Sequence, residues 1–409
     1  MFVSFKFRLY PFPNQERELL RQFGELRFLW NHALERRRDA WRKEKRPVSY
    51  VSQCRDLTRW RAFDTGGVGR VNAQVAQETL ARLNDAFRHF FRRVKTGERP
   101  GFPRFKKEVS SLTYPQAYDS VGIVGGRNGT WRLHLSKVGD LPIKVHRAPP
   151  EERIKTCTVE HEGDRWFAVL TYEVPDPAPP SGDPISPVGV DLGLTHLAVL
   201  SDGEAVEAPK FLRASEKRLS RAQRVVSRRK KGSHRREKAK VRLARCHAKV
   251  RDQRRDFAHK VTTGWAKRHD LVAFEDLSVP SMLGNGRLSK AVSDAGWGML
   301  RRMSEYKEAR RSGRYVEVPA KGTTQTCSGC GRLHDPPLTL KDRTYDCPCG
   351  LRLDRNLNAA RNVLARALAA VPGGTGESTP VETGPPPHRK GRRVRSKKRE
   401  PPPTSRVAT

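Results

Sequence analysis

Asp191 closes the apolar run "PVGVD", Glu275 closes "LVAFE", and Asp354 opens "DRNLNAARNVLARAL". An acid at the end of a buried strand is costly unless it is paired or holds a metal ion. Taken singly, each has an ordinary explanation: Asp191 as a turn or cap, Asp276 beside Glu275 as the cap of the next helix, Asp354 as an N-cap. Taken together, two buried strand ends and one helix start each deliver a carboxylate. Hard oxygen ligands of this kind suit Mg²⁺ or Mn²⁺. Two such ions, roughly 4 Å apart, would activate water and stabilise the leaving oxygen in phosphodiester cleavage.

The cysteines make a second constellation. Cys327-x-x-Cys330 and Cys347-x-Cys349, 16 residues apart, have the two-knuckle layout of a zinc ribbon. Four thiolates complete a tetrahedral shell, which marks the Zn²⁺ as structural, and Gly329, Gly331 and Gly350 allow the tight turns. The second knuckle is one residue shorter than the usual CxxC. His334 is a possible substitute ligand. Cys54, Cys157 and Cys246 are scattered, and an odd total with local pairs indicates a metal site plus buried thiols rather than a disulfide framework. His196 reads as structural and His259 as a surface residue of a basic helix. No Ser/His/Asp order or Gly-rich phosphate loop stands out.

Charge names the partner class. The 409 residues carry 81 Lys and Arg against 44 Asp and Glu, a formal charge of +37. Cations in that excess neutralise phosphates and release counterions, giving affinity without sequence preference. Membrane binding is the weaker explanation, because the basic residues lie in long polar segments rather than beside an apolar anchor. No run approaches a transmembrane span, and Lys6 and Arg8 interrupt the N-terminal apolar stretch, unlike a signal peptide. The expectation is an intracellular protein without a membrane partner.

The elements that must position these residues follow from periodicity. The length suggests about two to four domains. Residues 2–9 alternate as a half-buried strand. A helix capped by Asn14 then puts Leu19, Leu20, Phe23, Leu26, Trp30 and Leu34 on one face. A second, about 72–95, aligns Val75, Leu80, Leu83, Phe87, Phe90, Phe91 and Val94. From about 100 to 175 the pattern is β, with an Asn-Gly hairpin at 128–129 before Trp131, Leu133 and Leu135, and two strands around Glu162-Gly163-Asp164. A small barrel joined by the first strand is the natural guess. A stiff linker occupies 175–187. Between 211 and 260 stand 20 Lys or Arg against 4 acids, broken by "KGSHRR" into two helices. Strands are expected at 271–277 and 313–319, with a helix over 295–312. The Pro-, Gly- and Lys/Arg-rich end after Val371 reads as a disordered basic tail.

Motif order then adds a family. "GVDLGLTHLAVLSDG", "LVAFEDLSV", "SDAGWGMLRRMSEYKEARRSGRYVEVPAKGTTQTCSGCG" and "YDCPCGLRLDRNLNAARNVL" resemble, in this order, the TnpB family of transposon-encoded RNA-guided nucleases, related to compact type V CRISPR effectors. "RLYPFPNQERELLRQFGELRFLWNHAL" and "GERPGFPRFKK" are similar to it as well. The resemblance implies a multidomain α+β and α/β chain. Residues 1–12 and 97–180 would form an oligonucleotide-binding-type, WED-like β-barrel, with a helical REC-like domain inserted at 13–96. An RNase H-like, RuvC-like nuclease domain would span 186–326 and 351–371, interrupted by a zinc ribbon at 327–350 and followed by the tail 372–409. The family's catalytic acids fall on Asp191, Glu275 and Asp354. The implied partners are a guide RNA and double-stranded target DNA with its unwound strands, bound by a monomer or weak dimer carrying one RNA. Pairing reads the sequence and the protein reads a short target-adjacent motif. The implied location is a prokaryotic cytoplasm, at the nucleoid. Where the family commonly has Asp-Arg-Asp, this chain has Asp354-Arg355-Asn356, which spares the matched acid. Against the guided endonuclease stand a non-cutting RNA-guided DNA binder, a transposase or resolvase with the same acids, and a zinc-ribbon RNA-binding protein that leaves the strand-end acids unexplained.

Overall fold

A computed structural model describes residues 1–371 apart from 65, 126–129, 287 and 340. The expected Asn-Gly turn and the basic tail lie outside the described residues.

The N-terminal half is an antiparallel sheet with helices laid on it. Its strands are β1 (Phe2–Leu9), β2 (Ser111–Tyr114), β3 (Val121–Gly125), β4 (Trp131–Leu135), β5 (Gly139–Lys144), β6 (Ile154–Glu162) and β7 (Arg165–Glu173), in the order β2-β6-β7-β1-β5-β4-β3. β1 pairs along its whole length with β7, from Phe2 opposite Glu173 to Leu9 opposite Trp166, so the chain's first strand does return to the sheet. Between β1 and β2 come α1 (Pro13–Glu44), α2 (Tyr50–Phe63) and α3 (Ala73–Lys95). α1 begins one residue before the expected cap: Pro13 takes the first position, where its missing N–H costs nothing, and Phe12 N–H donates to Gln15 Oε1 at 3.1 Å. Leu19, Phe23, Leu26, Trp30 and Leu34 are buried as expected, but Leu20 faces solvent. α2 carried no clear sequence signal. Helices and sheet share one continuous apolar core, from Leu19 and Leu80 to Leu133 and Leu170. The C-terminal half of the α3 stripe departs from expectation: Val75, Leu80 and Leu83 are buried, whereas Phe91 and Val94 are exposed.

The second half is a layered α/β unit. β8 (Pro187–Leu192), β9 (His196–Leu200) and β10 (Ala205–Glu207) form antiparallel pairs; α4 (Phe211–Arg228) and α5 (His234–Arg268) follow, then β11 (Leu271–Asp276), α6 (Val279–Leu283), α7 (Ser289–Ala295), α8 (Trp297–Arg310) and β12 (Arg314–Pro319). The sheet order is β10-β9-β8-β11-β12, and β8–β11 and β11–β12 are parallel. Its two faces differ. Val188, Val190, Val272 and Phe274 pack with Trp265 of α5 and Leu300 of α8. Leu271 and Ala273 pack instead with Val363 and Ala367 of α9 (Arg355–Ala370). Arg165–Asp252 at 2.9 Å, Arg251–Glu162 at 2.6 Å and Arg245–Asp164 at 2.8 Å tie α5 to the β6–β7 hairpin of the first half. Among the described residues no helix is long and apolar enough to cross a membrane.

Candidate functional site

Strand register brings the first two acids together. Val190 pairs with Phe274 across the parallel β8–β11 ladder, so Asp191 and Glu275 are the next residues along adjacent strands and share a face. It is the face that α9 covers. The close approach of α9 depends on Gly189, where a Cβ would meet Ala360 O at 2.2 Å and Leu364 N at 2.6 Å. Both are backbone atoms and cannot step aside. This seating brings Asp354, at the N-terminus of α9, near enough to act electrostatically on Asp191.

Asp191 is 6% exposed, and among the described residues nothing donates a hydrogen bond to its carboxylate. Burial first, then the like charge of Glu275, push its pKa up to about 8; Arg355 pulls the other way, and Asp354 adds the smallest push. Glu275 is equally buried and also raised by burial, offset by a hydrogen bond from Thr323 Oγ1 and by Arg366. Asp354 is exposed and serves as the N-cap of α9, its Oδ1 accepting from Asn356 N–H at 2.8 Å and Leu357 N–H at 3.3 Å. Among the described residues nothing bonds to its other oxygen. Two buried carboxylates with one hydrogen bond between them are a poor resting state, and a cation is the partner they lack. Carboxylates are the donor type a hard divalent ion takes, although the ligand atoms of the three acids do not all lie within 4.8 Å of one another. Asp276 is not the cap of the next helix, since α6 starts after Ser278; it lies 3.3 Å from Arg301. Arg301 also donates to Glu317 and, at 2.8 Å, to Leu277 O, fixing the end of β11.

The cysteines are already closed up. Cys327, Cys330, Cys347 and Cys349 have their sulphurs all within 4.8 Å of one another, the one such group of His, Cys, Asp or Glu ligand atoms among the described residues. Cys327–Cys349 and Cys330–Cys347 are 3.7 and 3.6 Å apart, close to the ~3.8 Å tetrahedron edge implied by a Zn–S bond near 2.3 Å. The shorter second knuckle works because Gly350 takes φ +91° and donates to Cys347 O, as Gly331 at φ +75° does to Cys327 O. Burial raises the Cys327 thiol, yet backbone N–H groups of Cys330 and Gly329 and the neighbouring thiols outweigh it and draw it down to about 7. A thiolate forms there readily. His334 turns away, with Nδ1 2.7 Å from Pro336 O. His196 pairs with Glu207 at 2.8 Å, and His259 is half-buried beside Tyr306 rather than on the surface.

The two constellations are physically continuous. β13 (Thr344–Asp346) and β14 (Arg352–Asp354) form the ribbon hairpin, in which Thr344 pairs with Asp354, so the ribbon's last strand ends in the third acid. A polar network backs this joint. Asn358 receives Ser328 N–H at 2.9 Å and donates to Thr326 O at 2.7 Å; Asn362 donates to Thr323 O at 2.8 Å; Thr323 reaches Glu275. Thr323, Asn358 and Asn362 are buried. So is Arg355, whose Nη1 donates to Thr339 O at 2.5 Å and whose Nε has no hydrogen-bond partner among the described residues. None of these stood out in the sequence, although Asp354, Asn358 and Asn362 recur every four residues and so share one face of the helix.

Comparison with known proteins follows the same division. Residues 169–286 match the family described as "Probable transposase", residues 297–363 the "Cas12f1-like, TNB domain", and residues 1–46 a "Helix-turn-helix domain", though in that last span the structure has one strand and one unbroken helix. A Streptomyces pristinaespiralis protein named "Putative RNA-guided DNA endonuclease" is 39% identical over 378 residues, 91% of each chain. "Putative RNA-guided DNA endonuclease InsQ" of Escherichia coli K12 is 32% identical over 388 residues, 90% of this chain and 93% of that one. Among solved structures, a Cas12f1–sgRNA–target DNA complex superposes with a TM-score of 0.59 at 13% identity, covering 89% of this chain and 98% of that one, a likeness of fold. Identity of this extent over nine-tenths of the chain places it in the TnpB family.

Proposed function

We propose that this chain is an RNA-guided DNA endonuclease whose cutting site is Asp191, Glu275 and Asp354. The observation that supports this most strongly is the pair of buried acids set side by side by the β8–β11 register, with α9 seated on Gly189 to bring in a third. The family membership and the names of the relatives point the same way. Asp191, Glu275 and the other oxygen of Asp354 would hold Mg²⁺ or Mn²⁺. Two such ions supply water activation and charge neutralisation at the scissile phosphate. The chain's own part is positional: Thr323 holds Glu275, Arg301 holds the end of β11, and Arg355 moderates the negative charge on Asp191. Cys327, Cys330, Cys347 and Cys349 would bind a structural Zn²⁺ that keeps β14, and with it Asp354, in place.

In this reading the seven-stranded sheet is the WED-like barrel and α1–α3 the REC-like helices, 186–326 with 351–371 is the RuvC-like domain, and 327–350 the ribbon. The partners are a guide RNA and duplex DNA bearing a short adjacent motif, and the cationic α4–α5 pair follows their backbones. Purification from cells expressing the flanking locus, sequencing of the bound RNA and assay on matched duplex with and without Mg²⁺ test it. A discrete RNA and Mg²⁺-dependent, match-dependent cleavage are expected. Absence of a discrete RNA would sink guidance, and cleavage of unmatched DNA would favour a transposase or resolvase.

A further inference from the structure

The α3 stripe that fails to bury itself lines a cleft. Trp41 of α1, Phe87, Phe90 and Phe91 of α3, and Phe102 of the following segment surround about 700 Å³, a volume in the range of small-ligand sites. Phe102 meets Phe87 and Phe90 edge-to-face at 5.5 and 5.3 Å, so these rings pack on one another to form the wall. Trp41 and Phe91 are nonetheless 58% and 57% exposed. Exposed aromatics at this density in a hydrophilic chain mark a contact surface.

Its rim is cationic. Arg37, Arg38, Arg42 and Arg88 line the cleft against one acid, Asp39, which is 3.1 Å from Arg42. Among the described residues no acid lies within ion-pair distance of Arg37 or Arg38. Arg37 lies over the Phe87 ring at 5.0 Å and donates to Gln53 at 2.7 Å; Arg38 lies over Phe105 at 5.2 Å. Beyond Phe102 and Arg38 a second hollow continues with Arg93, Arg99 and Arg104 and no acid in its lining. The segment bearing it has no regular structure but is pinned to α1, with Trp30 Nε1 donating to Arg104 O at 3.1 Å and Asn31 and Lys106 exchanging bonds of 3.0 and 2.8 Å. Exposed rings beside a continuous basic track are what a single strand requires: every unpaired base has a π-face to stack, and its phosphates follow the cations. A base inside a duplex has no free face. Asp39 Oδ1 faces Arg42 and Asn84 Oδ1 accepts from Arg37, so the rings and the cations dominate what the lining offers a ligand.

We propose that this cleft holds an unpaired nucleotide of a DNA single strand, its base on Trp41 and Phe91 and its phosphates on Arg38 and the adjoining arginines. The site does not depend on the carboxylates. Binding is therefore tested on the full-length chain carrying Asp191→Ala, with a short single-stranded DNA containing a fluorescent adenine analogue. Quenching on binding to single strands but not to duplex is expected. Trp41→Leu with Phe91→Leu, which keeps apolar bulk at exposed positions, should abolish the quench and weaken binding ~10-fold. Phe91→Tyr should restore most of it. Arg38→Gln should lower the slope of log affinity against log salt by about one while leaving the quench. The proposal fails if the double Leu variant, with an unchanged melting temperature, binds and quenches like the parent. It fails if RNA of the same sequence binds ~10-fold tighter, or if the substitutions instead abolish self-association, making a second copy the occupant.

Discussion

Two sites meet where the ribbon's last strand ends in Asp354, and they differ in how complete they are. The cysteine cluster is closed, with sulphurs at 3.6 and 3.7 Å and every ligand supplied between 327 and 349. The carboxylate site is open, drawn from three distant segments, and its ligand atoms are not gathered within the distance that unites the cysteines. Thiols tolerate proximity because the cluster can keep most of its protons, Cys327 drawn down to about 7 while Cys347 is pushed up to about 12, whereas packed carboxylates repel and resist burial. In the proposed reading a staple can be preformed, whereas a reactive cation site is left under electrostatic tension.

That contrast can be broken from either side. The largest effect is expected from Glu275→Gln, which should lower cleavage of matched DNA by on the order of 10³-fold or more, the scale of removing one fixed electrostatic group from an active site, while the zinc content per chain stays at that of the parent. Cys347→Ser should act on both sites, because the strand that leaves the ribbon ends in Asp354. Zinc measured by atomic emission should fall to background, with cleavage falling alongside. If cleavage survives zinc loss, the sites are independent and the link through β14 is wrong.

A smaller effect probes the tension itself. Asp191 sits near 8 without a cation, against an unfolded value near 3.9. Its folded pKa is raised, so the stabilising contribution is complete below about pH 4 and is lost as pH rises toward 8. In metal-free conditions Asp191→Asn should therefore raise the melting temperature, more at pH 8 than at pH 5, and flatten that part of the pH profile; an unchanged profile would contradict the buried, unpartnered state. The smallest expected change is at Thr323. Thr323→Ala removes a hydrogen bond to a charged group, worth about 1.5–3 kcal/mol, and should cost roughly tenfold or more in cleavage. Thr323→Ser should restore it, which a purely steric role for the methyl group would not.

How much was legible from sequence follows the same division. The ribbon was readable because its ligands are local in the chain and its spacing is chemical. Asp191 and Glu275 were readable because each ends an apolar strand, and the two-helix break before α5 because Gly232 and Ser233 interrupt a basic run. Their partners were hidden. Thr323, Arg355 and Arg301 act through contacts formed only when β11, β12 and α9 assemble, and no local pattern encodes such contacts. The misplaced cap at Asn14 came from weighing an Asx cap above a proline at the first helical position. The aromatic stripe on α3 misled because periodicity reports which residues share a face, not whether anything in the chain covers it.

The most direct test compares the RNA-loaded parent with its Asp191→Ala variant on matched duplex DNA in Mg²⁺, after confirming that both retain the same RNA and the same zinc. Full cleavage by the parent and none above background by the variant is the expected result. Cleavage by the Asp191→Ala protein at the parent's rate would place the chemistry elsewhere in the molecule.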